Sequence, residues 1–230
     1  MSTYIKTKKE GGVFRITLAR AEKRNAFTPE MILGVERGIQ EANIDPKVKV
    51  ILIDAEGPVF CAGMDLKAFS EEGTSGSISL GEVMAGAEKP TVALVQGPVY
   101  AGGFLLIAEC TYVFAKEEVV FSLPEVKIGL FPFQVLVALL KVMPERKALQ
   151  LCLDPRPFGV ARAQQLGLVY DILDIEKVDE LLSLLLANST AAVQAGFQAC
   201  RSLHHVKEGE RYAYMIERLN LLKDSTTGLK

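Results

Sequence analysis

Two apolar strands each lead into a glycine-bearing junction, and this repeated unit constrains the fold more than any other feature. Val48 to Asp54 ends at Glu56-Gly57-Pro58 and is followed by Phe60-Cys61-Ala62-Gly63-Met64-Asp65-Leu66. Thr91 to Val95 ends at Gly97-Pro98, and Ala101-Gly102-Gly103 then opens the apolar run Phe104 to Ala108. Strands that alternate with helices in this way argue an α/β fold. The surrounding pattern agrees. Gly11-Gly12 separates two β-like runs, Tyr4 to Thr7 and Val13 to Leu18, which reads as a hairpin. Thr28-Pro29-Glu30 is a helix start, with Thr as N-cap and Pro at the first helical position. Met31, Ile32, Val35 and Ile39 then give that helix an apolar face, and Asp45-Pro46 ends it. Tyr112 to Ala115 and Val119 to Ser122 read as further strands.

Past Pro124-Glu125 the character changes. Helical patterns follow at Phe133 to Val142, Glu145 to Leu151, Val160 to Leu166, Val178 to Leu186, Ala191 to Leu203 and Tyr212 to Leu222. The fold class is therefore α/β with an added helical C-terminal part, divided as a core over 1–170 and a helical region over 171–230. Ser70 to Ser79, rich in Gly and Ser, reads as a mobile surface loop.

Composition excludes several classes. A formal charge of −2 over 230 residues lacks the basic excess of a nucleic-acid binder. It also gives no general field for steering an anion, so local groups must catch one. Cys61, Cys110, Cys152 and Cys200 are far apart and form no CxxC pair. Neither zinc nor a disulfide framework is expected, and reduced thiols suit a cytoplasmic location. No run approaches the ~18 apolar residues of a membrane span. The lysine-bearing start lacks the apolar stretch of a secretory signal.

Three constellations can carry chemistry. Gly63-Met64 and Ala101-Gly102-Gly103 are places where backbone can approach a ligand closely and where early helical N–H groups lack partners. Facing each other, they would form an oxyanion hole worth about 3–4 kcal/mol per donor. The same glycines also suit tight turns that close helix–strand packing. The third is Glu125 in Ser122-Leu123-Pro124-Glu125-Val126. Apolar surroundings would raise its pKa toward a range useful for proton transfer. An ordinary solvated Glu at a helix start is the other reading.

Five segments in order resemble the enoyl-CoA hydratase/isomerase (crotonase-like) family. Leu18 to Phe27 (LARAEKRNAF) is similar to its N-R-P-x-x-x-N-A-L segment, and Phe60 to Leu66 to its F-x-A-G-x-D-[LI] loop. Gln96 to Phe104 resembles N-G-x-A-x-G-G-G, Leu123 to Leu130 resembles P-E-x-x-x-G-[LI], and Ala161 to Val169 resembles A-x-E-A-x-x-x-G-L-V. The resemblance implies a crotonase-like spiral of β-β-α turns with a C-terminal helical trimerisation region, assembled as a homotrimer or a hexamer of paired trimers. It implies an acyl-CoA thioester as substrate, with coenzyme A entering only as part of it and no separate cofactor, metal, nucleic-acid or membrane partner. It assigns the oxyanion donors to the backbone N–H groups of Met64 and Gly102, and proton transfer to Glu125. Backbone near Arg24 and Ala26, and Ala62, Gly63, Asp65 and Leu66, would face the coenzyme; Lys23 or Arg24 would meet its phosphates.

The chain departs from the family in places that bear on mechanism. Hydratases of the family carry a second glutamate on the central helix, and Leu105 stands there. Glu125 alone suits a double-bond shift, where one base removes a proton at one carbon and returns it at another. An enoyl-CoA isomerase is therefore expected first. A hydratase or other acyl-CoA lyase comes second, and a catalytically weak acyl-CoA-binding protein third. Glu109, one turn beyond Leu105 on the same helix face, is a candidate substitute for the second glutamate, but it reads first as a buried structural Glu paired with a basic residue, and His204 and His205 read as solvated or interface residues. Phe131 and Phe133 replace a glycine-rich segment and should narrow the acyl pocket. The chain stops at Lys230, where family members usually add one more helix, so the helical region is expected to be short.

Overall fold

The computed structural model describes residues 3–71 and 79–227. The stretch expected as a Gly/Ser loop lies largely outside them. Strands β1 (Ile5–Glu10) and β2 (Val13–Leu18) form the expected hairpin. Gly11 and Gly12 take the positive φ angles (55° and 87°) that a tight hairpin turn requires. Helix α1 (Pro29–Ile44) starts where Thr28 Oγ1 accepts the Met31 N–H at 3.2 Å. Its buried face carries Met31, Ile32, Val35 and Ile39.

Next come β3 (Val50–Ala55), the short helices α2 (Leu66–Glu71) and α3 (Leu80–Ala85), and strands β4 (Thr91–Val95) and β5 (Val99–Tyr100). Helix α4 (Phe104–Glu109) is buried along most of its length. It is followed by β6 (Tyr112–Ala115), β7 (Val120–Ser122), α5 (Phe133–Leu139) and α6 (Glu145–Leu153). Then come β8 (Phe158–Gly159), α7 (Val160–Gln165), β9 (Asp171–Ile172), α8 (Ile175–Ala187), α9 (Thr190–Ser202) and α10 (Arg211–Thr227). The short β5, β8 and β9, and α2 and α3, carry no periodic signal in the sequence long enough to mark them.

The main sheet runs β1-β2-β3-β4-β6-β9, antiparallel at the β1–β2 hairpin and parallel thereafter. Strands β5, β7 and β8 form a second sheet, parallel between β5 and β7 and antiparallel between β7 and β8. This is the expected α/β architecture, with helices at its C-terminal end. One face of the main sheet turns Ile51, Ile53, Ala93 and Val95 toward α1 and α4. The other turns Val50, Leu52, Val92, Leu94 and Phe114 toward Val178 and Leu185 of α8. Burial on both faces explains why β3 and β4 are unbroken apolar runs.

Lys89 is 1% exposed, and its ammonium donates to the Ala42 and Asp45 carbonyls at the end of α1. A buried cation is tolerable there because it sits on the carbonyl end of a helix. Among the described residues, no helix is long and apolar enough to cross a membrane.

Candidate active site

The first junction is stitched to the second by backbone bonds. Phe60 and Cys61 N–H groups donate to the Pro98 carbonyl at 3.1 and 3.3 Å, and Tyr100 N–H donates to Cys61 O at 2.9 Å. Gly63 has φ +94°, a conformation that a side chain resists. A Cβ there would lie 2.8 Å from Ala101 Cβ and 3.3 Å from the Gly102 nitrogen. A Cβ on Gly102 would in turn meet the Met64 side chain at 3.0–3.1 Å. The two glycines thus let two backbone segments touch, and Met64 and Gly102 become neighbours. Among the described residues, the Met64 N–H has no hydrogen-bond acceptor. Gly102 is the second residue of a 3-10 turn (Ala101–Gly103) leading into α4, where an N–H has no partner within the helix. Ala101, at φ +50°, holds a conformation unusual for a residue with a Cβ and costing about 1–2 kcal/mol.

Glu125 opens a 3-10 turn (Glu125–Ile128) just past β7, closed by Gly129 at φ +77°. Its carboxylate enters the same cavity as Met64 and Gly102, a space of about 560 Å3. Its Oε2 is buried and accepts no hydrogen bond among the described residues. Burial pushes its pKa above the usual carboxylate value, opposed in part by its own backbone N–H. Leu105, 2% exposed, forms the wall where a second glutamate would stand. Apart from Glu125, the polar side chains on the cavity are Ser70 and Gln134, among the described residues. The rest of the wall includes Leu66, Phe69, Leu130, Phe131, Phe133 and Val135. The rings of Phe131 and Phe133 lie 5.0 Å apart and both line the cavity.

The segment bearing Lys23, Arg24 and Ala26 runs beside the first junction. Ala62 N–H donates to Arg24 O at 3.0 Å, Phe27 N–H to Gly63 O at 2.8 Å, and Asp65 N–H to Phe27 O at 2.8 Å. Lys23 and Arg24 are exposed; Ala26, Ala62 and Asp65 are half-buried, Gly63 is buried and Leu66 is on the cavity rim. The Asp65 carboxylate is already engaged: Arg20 Nη1 donates to it at 2.8 Å and also to Ala26 O at 2.8 Å. The Arg20 guanidinium lies over the Tyr4 ring, 5.3 Å from its centroid. Asn25, fully buried, donates to the Glu56 and Val59 carbonyls and accepts the Arg20 N–H. The Arg-Asn-Asp set therefore fixes the two segments against each other. Sequence reading missed Arg20, although it lies inside the quoted motif, because its role is defined only by the partner it finds 45 residues away.

Glu109 lies outside this cavity, its Oε1 2.6 Å from Lys141 Nζ and its side chain 8% exposed. His204 and His205 are exposed on a 3-10 turn following α9.

Comparison with known proteins agrees with this geometry. A family model for enoyl-CoA hydratase/isomerase matches residues 8–223. The chain is 30% identical over 240 aligned positions to the enoyl-CoA hydratase domain-containing protein 3, mitochondrial, of Danio rerio, covering 97% of this chain and 83% of the relative. It is 28% identical to the hydroxycinnamoyl-CoA hydratase-lyase of Pseudomonas fluorescens, with 93% and 87% covered. Among solved structures, an enoyl-CoA hydratase from Shewanella pealeana superposes with a TM-score of 0.85 at 26% identity, over 96% of this chain and 88% of that one. Human enoyl-coenzyme A hydratase domain-containing protein 3 gives a TM-score of 0.85 at 25% identity, over 94% and 90%. With its glycine junctions facing each other and Glu125 in the cavity between them, the chain belongs to the enoyl-CoA hydratase/isomerase family of acyl-CoA enzymes.

Proposed function

We propose that this chain is an enoyl-CoA isomerase that moves a double bond with one carboxylate. The observation that carries this reading is the pairing of an unpartnered Glu125 with Leu105 across one apolar cavity. The thioester oxygen would accept hydrogen bonds from the Met64 and Gly102 N–H groups. Their dipoles stabilise the enolate as negative charge builds on that oxygen. Glu125 would take a proton from C2 of a 3-enoyl ester and return it at C4, giving the conjugated 2-enoyl ester. The raised pKa suits this, because a base must release its proton in the second half of the same turnover. Ala26, Ala62 and Leu66 would border the coenzyme, with Lys23 and Arg24 near its phosphates. Asp65 would act by holding that edge through Arg20. The reaction uses no cofactor beyond the coenzyme A that the substrate carries.

Hydration is the second reading, and the names of this chain's relatives favour it. Adding water calls for a positioned water and a separate proton donor, commonly two carboxylates, whereas Leu105 moves no proton. Trans-3-enoyl-CoA and trans-2-enoyl-CoA incubated in parallel, with products followed by chromatography and mass spectrometry, separate the two. Conversion of the 3-enoyl ester without mass change, lost in Glu125→Gln, is the expected result. A product heavier by one water from the 2-enoyl ester would replace isomerase with hydratase.

A homotrimer, or a hexamer of paired trimers, is the assembly we propose. Tyr212, Ile216 and Leu219 recur along one exposed face of α10 and support it. A monomeric mass by light scattering would refute it.

A further inference from the structure

Beyond the reacting centre, a second cavity adjoins the active-site cavity along α4. Gln134 borders the active-site cavity and also this second one, of about 310 Å3. Leu105 lines the first and Glu109 the second. These two residues share one helix face, and four residues of helix are about 6 Å. On the opposite wall the chain runs from Gln134 in α5 to Lys141, seven residues on and just past its end. Gly81 of α3 brings a third wall close: a Cβ there would lie 3.3 Å from Leu105 Cδ2.

The two chambers differ in kind. The first is walled by leucine, valine and phenylalanine. The second sets charge into an apolar wall: the Glu109–Lys141 pair and Glu82 stand among Ala85, Val137 and Ala138, and the Ser79–Gln134 hydrogen bond, 3.2 Å, borders it. Glu109 is nearly as buried as the core, yet the proton chemistry above does not use it. Hydrogen-bonding capacity remains in this chamber. Glu109 Oε1 takes Lys141, which leaves Oε2 as an acceptor; Lys141 and the Gln134 amide retain donors.

Resting on the isomerase reading, we propose that the second chamber selects acyl groups of medium length with a hydroxyl at the far end. A hydroxyl both donates and accepts, so it can serve Glu109 and Lys141 together. A plain alkyl end would lie against the buried Glu109 carboxylate without replacing its contacts with water. A carboxylate would face Glu109 and Glu82, two acids against one lysine. Glu109 stands about 6 Å beyond Leu105 along α4, so the acyl chain must extend well past the reacting carbons, as a ten-carbon ester does.

The test compares trans-3-decenoyl-CoA with its ω-hydroxy and ω-carboxy forms, as kcat/KM. The ω-hydroxy ester should lead by tenfold or more, since a site that bonds a hydroxyl discriminates against an analogue lacking it. The double substitution Glu109→Leu with Lys141→Met replaces the pair by apolar groups of similar length, a change that folds commonly tolerate. There the order should invert in favour of the alkyl ester. Equal rates for hydroxyl and alkyl esters, or a lead by the carboxylate, would overturn the proposal. The same order measured as equilibrium binding of the three saturated decanoyl esters does not depend on isomerase chemistry. If turnover is absent but the ω-hydroxy ester binds tightest, the isomerase reading fails and the chamber stands. If turnover is present and the saturated esters bind alike, the chamber fails and the isomerase reading stands.

Discussion

Two glutamates flank the same central helix and meet opposite fates. Glu125 reaches the active-site cavity with one oxygen buried and unbonded, and burial raises its pKa. Glu109, one turn past Leu105, has Lys141 at 2.6 Å. An ammonium in contact occupies one oxygen and fixes the direction of the carboxylate. A carboxylate held this way is a good anchor. The contrast teaches that burial alone does not mark a catalytic acid or base. What distinguishes the two is whether a fixed cation already sits on the oxygen.

The largest effect should come from removing the unpaired one. Glu125→Gln keeps shape but cannot take a proton, and kcat should fall by roughly 10²–10⁴-fold, with acyl-CoA affinity retained. The pH behaviour follows from the same group. As the base it must be ionised, so kcat/KM should rise with pH through a value above that of an ordinary glutamate and then level, with no second carboxylate limb. For stability the sign is opposite. A carboxyl with a raised folded-state pKa favours the fold below its unfolded value, near 4.5, and that contribution is lost as pH rises through the folded value. Glu125→Gln should therefore melt higher than wild type at neutral pH, with the gap closing in acid. An equal melting temperature at both pH values would argue that the carboxylate is solvated and that the contrast with Glu109 is illusory.

A smaller loss should follow when Glu125 is left intact and the donors are moved. Gly63→Ala puts a Cβ at φ +94° and 2.8 Å from Ala101 Cβ, so the two junctions must separate. Losing alignment of one oxyanion donor costs roughly 10²–10³-fold in kcat. Because ground-state binding of the coenzyme uses other contacts, KM should change much less. A variant that raises KM at unchanged kcat would mean that the junction serves packing alone.

How much of this the sequence carried depends on how local the signal was. Thr28-Pro29 marks the start of α1 because capping acts within one turn, and Gly11-Gly12 marks the hairpin because a tight turn needs positive φ there. β3 and β4 were legible because both faces are buried and no polar residue interrupts them until their ends. The two-residue strands β5 and β8 were not, since pairing across the second sheet, not periodicity, defines them. At the site, Met64, Gly102 and Glu125 were named from the motifs they occupy, and the cavity brings them together. Gln134 and Phe69 were missed because cavity walls are assembled by α2 and α5 from distant parts of the chain. Lys89 was missed for a similar reason. Nothing near it in sequence announces that the end of α1 will lie over its ammonium.

The smallest effect should come from the paired glutamate. Glu109→Gln retains size and an oxygen toward Lys141 but weakens a charge-assisted bond to a neutral one. The expected cost is about 1 kcal/mol of stability. In a chain of this length that is a fall of roughly 2–4 °C in Tm. Lys141 is 42% exposed, so its ammonium can turn to water, and the penalty of an unpaired buried cation does not arise. Turnover of a six-carbon 3-enoyl ester should fall less than about tenfold, because Glu109 reaches neither C2 nor C4 in a mechanism run by Glu125 alone. If Glu109→Gln instead removed turnover as fully as Glu125→Gln, two carboxylates would share the chemistry. The contrast between them would then collapse, and hydration, which can use both, would become the better account of the site.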